Sequence, residues 1–239
     1  MVENRVRKLR EAVSLLTKAK PFPLPEPLAS SPLVQNMMFV LCVNWLMQGM
    51  RGMGKKELAG RFLLELALAA LLAAGLFALG LNIATASSAA LLFAHTVQFF
   101  VNGQLWVCMR YWPRWHLDPI RTRRFIAEAE ALLRRQAWLA EAVCIGSGAR
   151  GAHSLKPRAD IDLRLIFPPG VSAFLRMHAL LLRLRAKALL ARVPLDLYAL
   201  DAVPDLQRCR QDEPLGILLD RHGRLRQQFA ACRPLALWP

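Results

Sequence analysis

Three short runs decide how this chain reads: Cys144-Ile145-Gly146-Ser147-Gly148-Ala149-Arg150, then Arg158-Ala159-Asp160-Ile161-Asp162-Leu163, then Val193-Pro194-Leu195-Asp196-Leu197. The first is an apolar strand ending in a Gly-Ser turn. In the second, side chains at i and i+2 of a strand share a face, so Asp160 and Asp162 project together while Ile161 and Leu163 turn to the core. Two like charges held that close repel unless a cation lies between them. Carboxylate oxygens without Cys or His partners favour Mg²⁺ or Mn²⁺, and Mg²⁺ is commonly held by a few carboxylates plus phosphate oxygens. Gly146 and Gly148 bracket Ser147 in a turn whose backbone N–H groups approach an anion closely. Asp196 supplies a third carboxylate from another short apolar strand.

Each run has a plainer reading by itself: a solvated strand edge for Asp160 and Asp162, a tight turn for Gly146 to Gly148, a hydrogen-bonded strand end for Asp196. Their conjunction in this order points to a metal and polyphosphate pocket. At Gly146, Ser147, Asp160, Asp162 and Asp196 the chain resembles the polymerase-β-like nucleotidyltransferase superfamily, over roughly its last half. The resemblance implies a small mixed sheet flanked by helices. It also implies that Asp160 and Asp162 hold two metal ions, with Asp196 completing the metal site and helping to deprotonate the attacking group. Gly146 and Ser147 would grip the β- and γ-phosphates of an NTP, and Arg150, Lys156 or Arg158 would neutralise developing charge. Two departures bear on substrate choice: Ala159 stands where a Ser often precedes the first Asp, and the spacer carries His153, Lys156 and Pro157.

The 239 residues are 55% hydrophobic, more than one soluble catalytic domain requires. The formal charge of +15 implies an anionic partner, whether nucleic acid, acidic lipid or nucleotide. Cys42, Cys108, Cys144, Cys209 and Cys232 show no metal or disulfide spacing, which suits a reducing cytoplasmic setting.

Upstream of the pocket the chain reads as a membrane module. Residues 1–32 comprise a basic amphipathic helix, suited to an anionic membrane surface or to packing on the head, and a spacer carrying Pro21, Pro23, Pro25, Pro27 and Pro32. Residues 33–50 read as an interfacial helix, with a full span as the alternative. Residues 62–81 are the length and greasiness of a transmembrane helix, with Glu65 in the first turn; residues 89–109 form a second span. Arg51, Lys55, Lys56 and Arg61 before the pair, and Arg110, Arg114, Arg121, Arg123 and Arg124 after it, put both ends in the cytoplasm. The expectation is a multi-pass protein of the cell inner membrane with a cytoplasmic head; two buried helices of a soluble bundle are the alternative.

His95, Gln98 and Asn102 fall on one stripe of the second span. They suit hydrogen bonding between the spans, assembly of a homo-oligomer through the transmembrane helices, or a groove for a lipid headgroup. Trp106, Tyr111, Trp112 and Trp115 suit an aromatic belt. The head, residues 116–239, should hold an amphipathic helix over 121–141, a strand over 143–145, a long helix over 172–192 with a basic face of Arg176, Arg183, Arg185 and Lys187, and a further strand near 216–219. The fold class expected is α+β, a nucleotidyltransferase head preceded by an α-helical transmembrane hairpin.

The function expected is Mg²⁺-dependent transfer of an NMP group from an NTP to an acceptor, with a membrane-resident lipid or lipid-linked acceptor the most economical for a tethered head. A protein-modifying, antitoxin-like transferase and a non-catalytic nucleotide-binding membrane scaffold are the alternatives. Nucleic acid is disfavoured as acceptor, because no template- or tRNA-binding domain is evident.

Overall fold

The computed structural model describes residues 36–110, 115–150, 159–208, 215–229 and 232–235. The expected basic helix and proline spacer, residues 1–32, lie outside the described residues. The chain is α+β: a mixed sheet with helices, preceded by two long apolar helices.

Helix α1, Met37–Met47, starts where the Asn36 side chain accepts the Met38 N–H, and stops at Gln48 and Gly49, both left-handed. Helix α2, Lys55–Ala78, begins earlier than the apolar run alone suggests. The reason is tertiary: Asp201, far along the chain, accepts the N–H groups of Lys55 and Lys56 and caps the helix. Glu65 is therefore well inside α2, not in its first turn. Helix α3, Ile83–Val101, is capped by Asn82 and ends at Asn102 and the left-handed Gly103. The expected span to residue 109 is thus broken, and its last part is the separate helix α4, Gln104–Met109. Only 11% of the apolar window of α2 and 28% of that of α3 is buried. Phe62, Leu63, Leu66, Leu71, Phe77, Leu91, Leu92 and Phe93 face outward, the reverse of helices in a soluble core.

The head starts with α5, Pro119–Arg134, shorter at its end than the pattern suggested; Asp118 caps it and Pro119 opens it. Then come β1 (Glu141–Ile145), a 3₁₀ turn (Gly146–Arg150), β2 (Ile161–Ile166), α6 (Val171–Ala191), β3 (Leu195–Leu200), β4 (Leu215–Asp220), α7 (Arg224–Gln228) and β5 (Cys232–Pro234). The short β5 has no clear sequence pattern and was not expected. The sheet order is β3-β2-β1-β4-β5. Strand β1 is antiparallel to both neighbours, whereas β2 and β3, joined through α6, run parallel, as do β4 and β5.

One face of the sheet carries Ile161, Leu163, Leu165, Leu195 and Leu197, packed under α5 and α6 against Leu133, Met177, Leu181 and Leu184. Burying each such side chain contributes about 1.5–3 kcal/mol over leaving it exposed. The opposite face is apolar along β1 and β4, through Val143, Ile145, Leu215 and Ile217, and at the far ends of β2 and β3, through Ile166 and Leu200. The near ends of β2 and β3 carry Asp162, Arg164, Asp196 and Tyr198 on it.

The edge strand β3 pairs with no further strand among the described residues, yet its backbone is satisfied by the base of the long hairpin. Gly54 N–H donates to Ala199 O at 2.9 Å, and Ala199 N–H donates to Glu57 Oε2 at 2.6 Å. Arg185 donates to Leu197 O at 2.6 Å and to Asn102 Oδ1 at 3.1 Å, and pairs with Glu57 Oε1. Arg185 is therefore no part of a solvated basic face; it is buried, because β3 and α2 both need its donors. Trp106 likewise packs inward: its indole N–H donates to Leu189 O, and its ring stacks on Trp115 at 5.0 Å.

Glu57→Leu should destabilise the detergent-solubilised protein by about 3–5 kcal/mol, since it leaves Arg185 buried without its charge partner. Thermal unfolding measures it; a loss below about 1 kcal/mol would mean that the clamp is not structural.

Candidate functional site

The parallel register sets Asp162 of β2 directly opposite Asp196 of β3, and Arg164 opposite Tyr198. Adjacent strands lie about 4.8 Å apart, so the paired carboxylates meet at close range. Asp160, immediately before β2, projects to the same side, and one oxygen from each of the three carboxylates lies within 4.8 Å of the others. The alternation that buries Ile161, Leu163, Leu195 and Leu197 is what delivers these charges to the other face.

Two arginines answer the charge. Arg164 Nη2 lies 3.5 Å from Asp162 Oδ1 and 3.3 Å from Asp196 Oδ2, and its Nη1 donates to Asp196 O at 2.7 Å and Leu163 O at 2.9 Å. Its guanidinium also sits 4.6 Å over the Tyr198 ring. Arg110, just past α4, pairs with Asp160 Oδ2 and is itself buried. The Tyr198 hydroxyl donates to the Asp196 carboxylate.

Three negative groups against two positive ones leave one charge in excess, and the ionisation reflects it. Burial, then the charges of Asp160 and Asp196, push the Asp162 carboxyl up to about 8. Burial pushes Asp196 the same way, but Arg164 foremost, with hydrogen bonds from Tyr198 and Asp162, holds it below the usual carboxylate range. Burial and two like-charged neighbours thus favour the neutral form of the Asp162 carboxyl, while Arg164 favours the ionised form of Asp196. Burial and the adjacent Asp196 keep the Tyr198 hydroxyl neutral.

The donor set fits a divalent cation. Three converging oxygen ligands and a carboxyl that retains a proton for want of positive charge are what Mg²⁺ or Mn²⁺ would satisfy, displacing the proton. Asp160, Asp162 and Asp196 would hold it.

The β1 turn borders this site. Gly146 is buried with φ +73°, where a side chain would strain the backbone, and a Cβ on Gly148 would lie 2.8 Å from Cys144 Sγ. Ser147 and Arg150 lie in the same turn. Lys156 and Arg158 lie outside the described residues. The structure thus brings together Asp160, Asp162 and Asp196 beside the turn carrying Gly146.

His95, Gln98 and Asn102 are elsewhere, between helices of the same chain. His95 bonds Glu65 Oε1 at 2.7 Å and Trp45 O at 2.9 Å, Gln98 donates to Arg61 O at 3.1 Å, and Asn102 donates to Gln98 Oε1 at 3.1 Å. Arg61 and Gln48 complete this buried network.

Sequence reasoning passed over Arg164, Tyr198 and Arg110. The first two were within reach, because i+2 from Asp162 and from Asp196 is the same strand face. Arg110 carries no local signal. Nor do Gly49 and Gly52, which leave room for Tyr198: a Cβ on Gly49 would lie 2.2 Å from its hydroxyl oxygen, and one on Gly52 2.3 Å from Cε2.

Compared with protein-family models, curated proteins and solved structures, the chain matches none.

The metal-free protein should lose stability as pH rises from about 4 to about 8, because the native Asp162 retains a proton that the unfolded chain has released. Asp162→Asn should remove that slope in pH-dependent chemical denaturation. Mg²⁺ affinity should rise over the same interval with proton release, read by calorimetry in two buffers of different ionisation enthalpy. Gly52→Ala should cost about 1–3 kcal/mol by overpacking Tyr198, measured as a shift in denaturation midpoint.

Proposed function

We propose that this chain is a membrane-anchored, Mg²⁺-dependent nucleotidyltransferase that moves an NMP group from an NTP to a lipid or lipid-linked acceptor at the cytoplasmic face of the inner membrane. The observation that carries the reading is the meeting of Asp160 and Asp162 on β2 with Asp196 on parallel β3, next to the Gly146 turn that follows β1. A strand, a Gly-Ser turn, an Asp-x-Asp strand and a third carboxylate on the neighbouring strand make up the pattern of polymerase-β-like nucleotidyltransferases. Here they occupy one end of one sheet face.

Asp160, Asp162 and Asp196 would hold a divalent ion, which would supply Lewis acidity for phosphoryl transfer. The chain's own groups do the rest. Asp196, kept ionised by Arg164 and Tyr198, is a ligand that needs no deprotonation. Asp162 would serve as the second strand-borne ligand in its ionised form. Arg110 and Arg164 lie within the site's charge field, positioned to offset negative charge on a bound triphosphate. The backbone N–H groups of the turn starting at Gly146 suit the phosphates.

The membrane assignment rests on the outward-facing apolar surfaces of α2 and α3. Arg110 strengthens the link between anchor and chemistry: it ends α4, the short helix after the hairpin, and pairs with Asp160, so the helical region and the head both contribute to the site. An acceptor resident in the same bilayer follows economically.

One observation favours the scaffold alternative: Arg164 already bridges Asp162 and Asp196, as a structural charge cluster would. Enzyme and scaffold separate in one assay. Purified protein with labelled NTPs, Mg²⁺ and a total lipid extract should release pyrophosphate and place label in the organic phase, whereas label on protein from a cell extract would favour the protein-modifying reading. Asp160→Asn and Asp162→Asn should each lower turnover by at least about 10³-fold, a loss of roughly 4 kcal/mol of transition-state stabilisation. Retained turnover in both variants rejects the metal assignment; nucleotide binding without turnover in the wild type supports the scaffold.

A further inference from the structure

A cavity of about 750 Å³ opens at the other end of the sheet from the three carboxylates, within the range of small-molecule sites. It is bordered by Phe167, just past the end of β2, and by Asp201 and Ala202, just past the end of β3. Five strand steps separate Asp162 from Phe167, about 16 Å, so this is a separate site.

Its lining mixes apolar and polar side chains. Trp138 and Phe167 contribute aromatic surface; Lys56, His222 and Arg224 contribute nitrogen donors. The two carboxylates that also border it are already engaged. Asp201 accepts the N–H groups of Lys55 and Lys56 at 2.7 and 3.1 Å, capping α2. Glu141 is buried and accepts Arg224 Nε at 2.6 Å. Lys56 is exposed, its ammonium 5.8 Å over the Phe167 ring, and it forms no ion pair among the described residues. Arg224 is committed to Glu141 in turn, so among the described residues the cationic donor left for a ligand is Lys56, with His222 and the amides of Gln227 and Gln228 beside it, above an aromatic surface.

Position adds a second argument. Lys56 precedes Phe62, where the outward-facing apolar surface of α2 begins, by six residues. At 1.5 Å per residue the cavity's cation lies about 9 Å below the hydrocarbon edge, at headgroup depth. This step rests on the membrane reading; the donor chemistry of the cavity does not.

We propose that this cavity is a second binding site, for a phosphate ester with a small organic body, held through its phosphate by Lys56 and His222 beside Arg224, with the body lying on Trp138 and Phe167. Two sources share that chemistry: the headgroup of an anionic phospholipid and a soluble phosphorylated metabolite.

The test uses the full chain in detergent, without Mg²⁺ or NTP. Native mass spectrometry compares retained dioleoyl phosphatidylglycerol with dioleoyl phosphatidylcholine, and calorimetry titrates glycerol 1-phosphate. Both are repeated on Lys56→Gln, which removes the cation, and on Ala202→Trp, which fills the cavity without changing charge; both positions are exposed, so the fold should persist. Preferential retention of phosphatidylglycerol, lost in both variants, assigns a lipid headgroup. Binding of glycerol 1-phosphate without lipid preference, weakened about tenfold or more in both variants, assigns a soluble ester. No binding of either probe, or binding unchanged in either variant, overturns the proposal. Asp162→Asn should bind both probes like the wild type, so failure here and failure of the transferase reading are told apart.

Discussion

The buried pairing of Glu57 with Arg185 at the edge of β3 is the contact on which the arrangement depends. An edge strand leaves a row of backbone donors and acceptors unmet. Here Ala199 N–H finds a carboxylate from the first turn of a long apolar helix, and Leu197 O finds an arginine from α6. The cost of desolvating two charges is offset only because both also serve backbone groups and Asn102. The hairpin base thus takes the place of a further strand, and the head and the hairpin pack against each other there.

That union explains the composition of the acidic site. Its carboxylates come from the head, but Arg110 comes from the end of α4, and Gly49 and Gly52, between α1 and α2, shape the space around Tyr198. Tyr198 in turn donates to Asp196. A displacement of the hairpin base against β3 would be felt at Asp160 through Arg110 and at Asp196 through Tyr198. The same edge strand ends at Asp201, which caps α2 and borders the second cavity. The acidic cluster and the cavity therefore lie towards the two ends of the strand against which the hairpin base docks.

The polar stripe of α3 follows the same logic of internal satisfaction. In a helix whose outer face is Leu and Phe, His95, Gln98 and Asn102 turn inward to Glu65, Trp45, Arg61 and Gln48. Groups costly to leave unpaired in an apolar medium are paired within the chain.

The local patterns were legible in the sequence because they obey short-range rules. Period-two alternation placed Asp160 and Asp162 on one strand face, the length of the apolar runs marked two long helices, and the Gly-Ser turn after an apolar strand was visible as written. By the same rule Arg164 and Tyr198 were legible, though they stand out only once the register is known. Helix ends were not legible where their cap lies elsewhere: α2 begins at Lys55 because of Asp201, and no window around residue 55 contains that aspartate. Nor does anything near Glu57, Arg110 or Arg185 reveal a partner fifty or more residues away, since charged side chains in basic or apolar stretches look solvated until a strand edge is brought against them. Sequence by itself determined which residues share a face. Tertiary structure alone decided which faces meet, because the parallel pairing of β2 with β3 and the docking of the hairpin are contacts between segments whose nearness is set by packing and not by spacing along the chain.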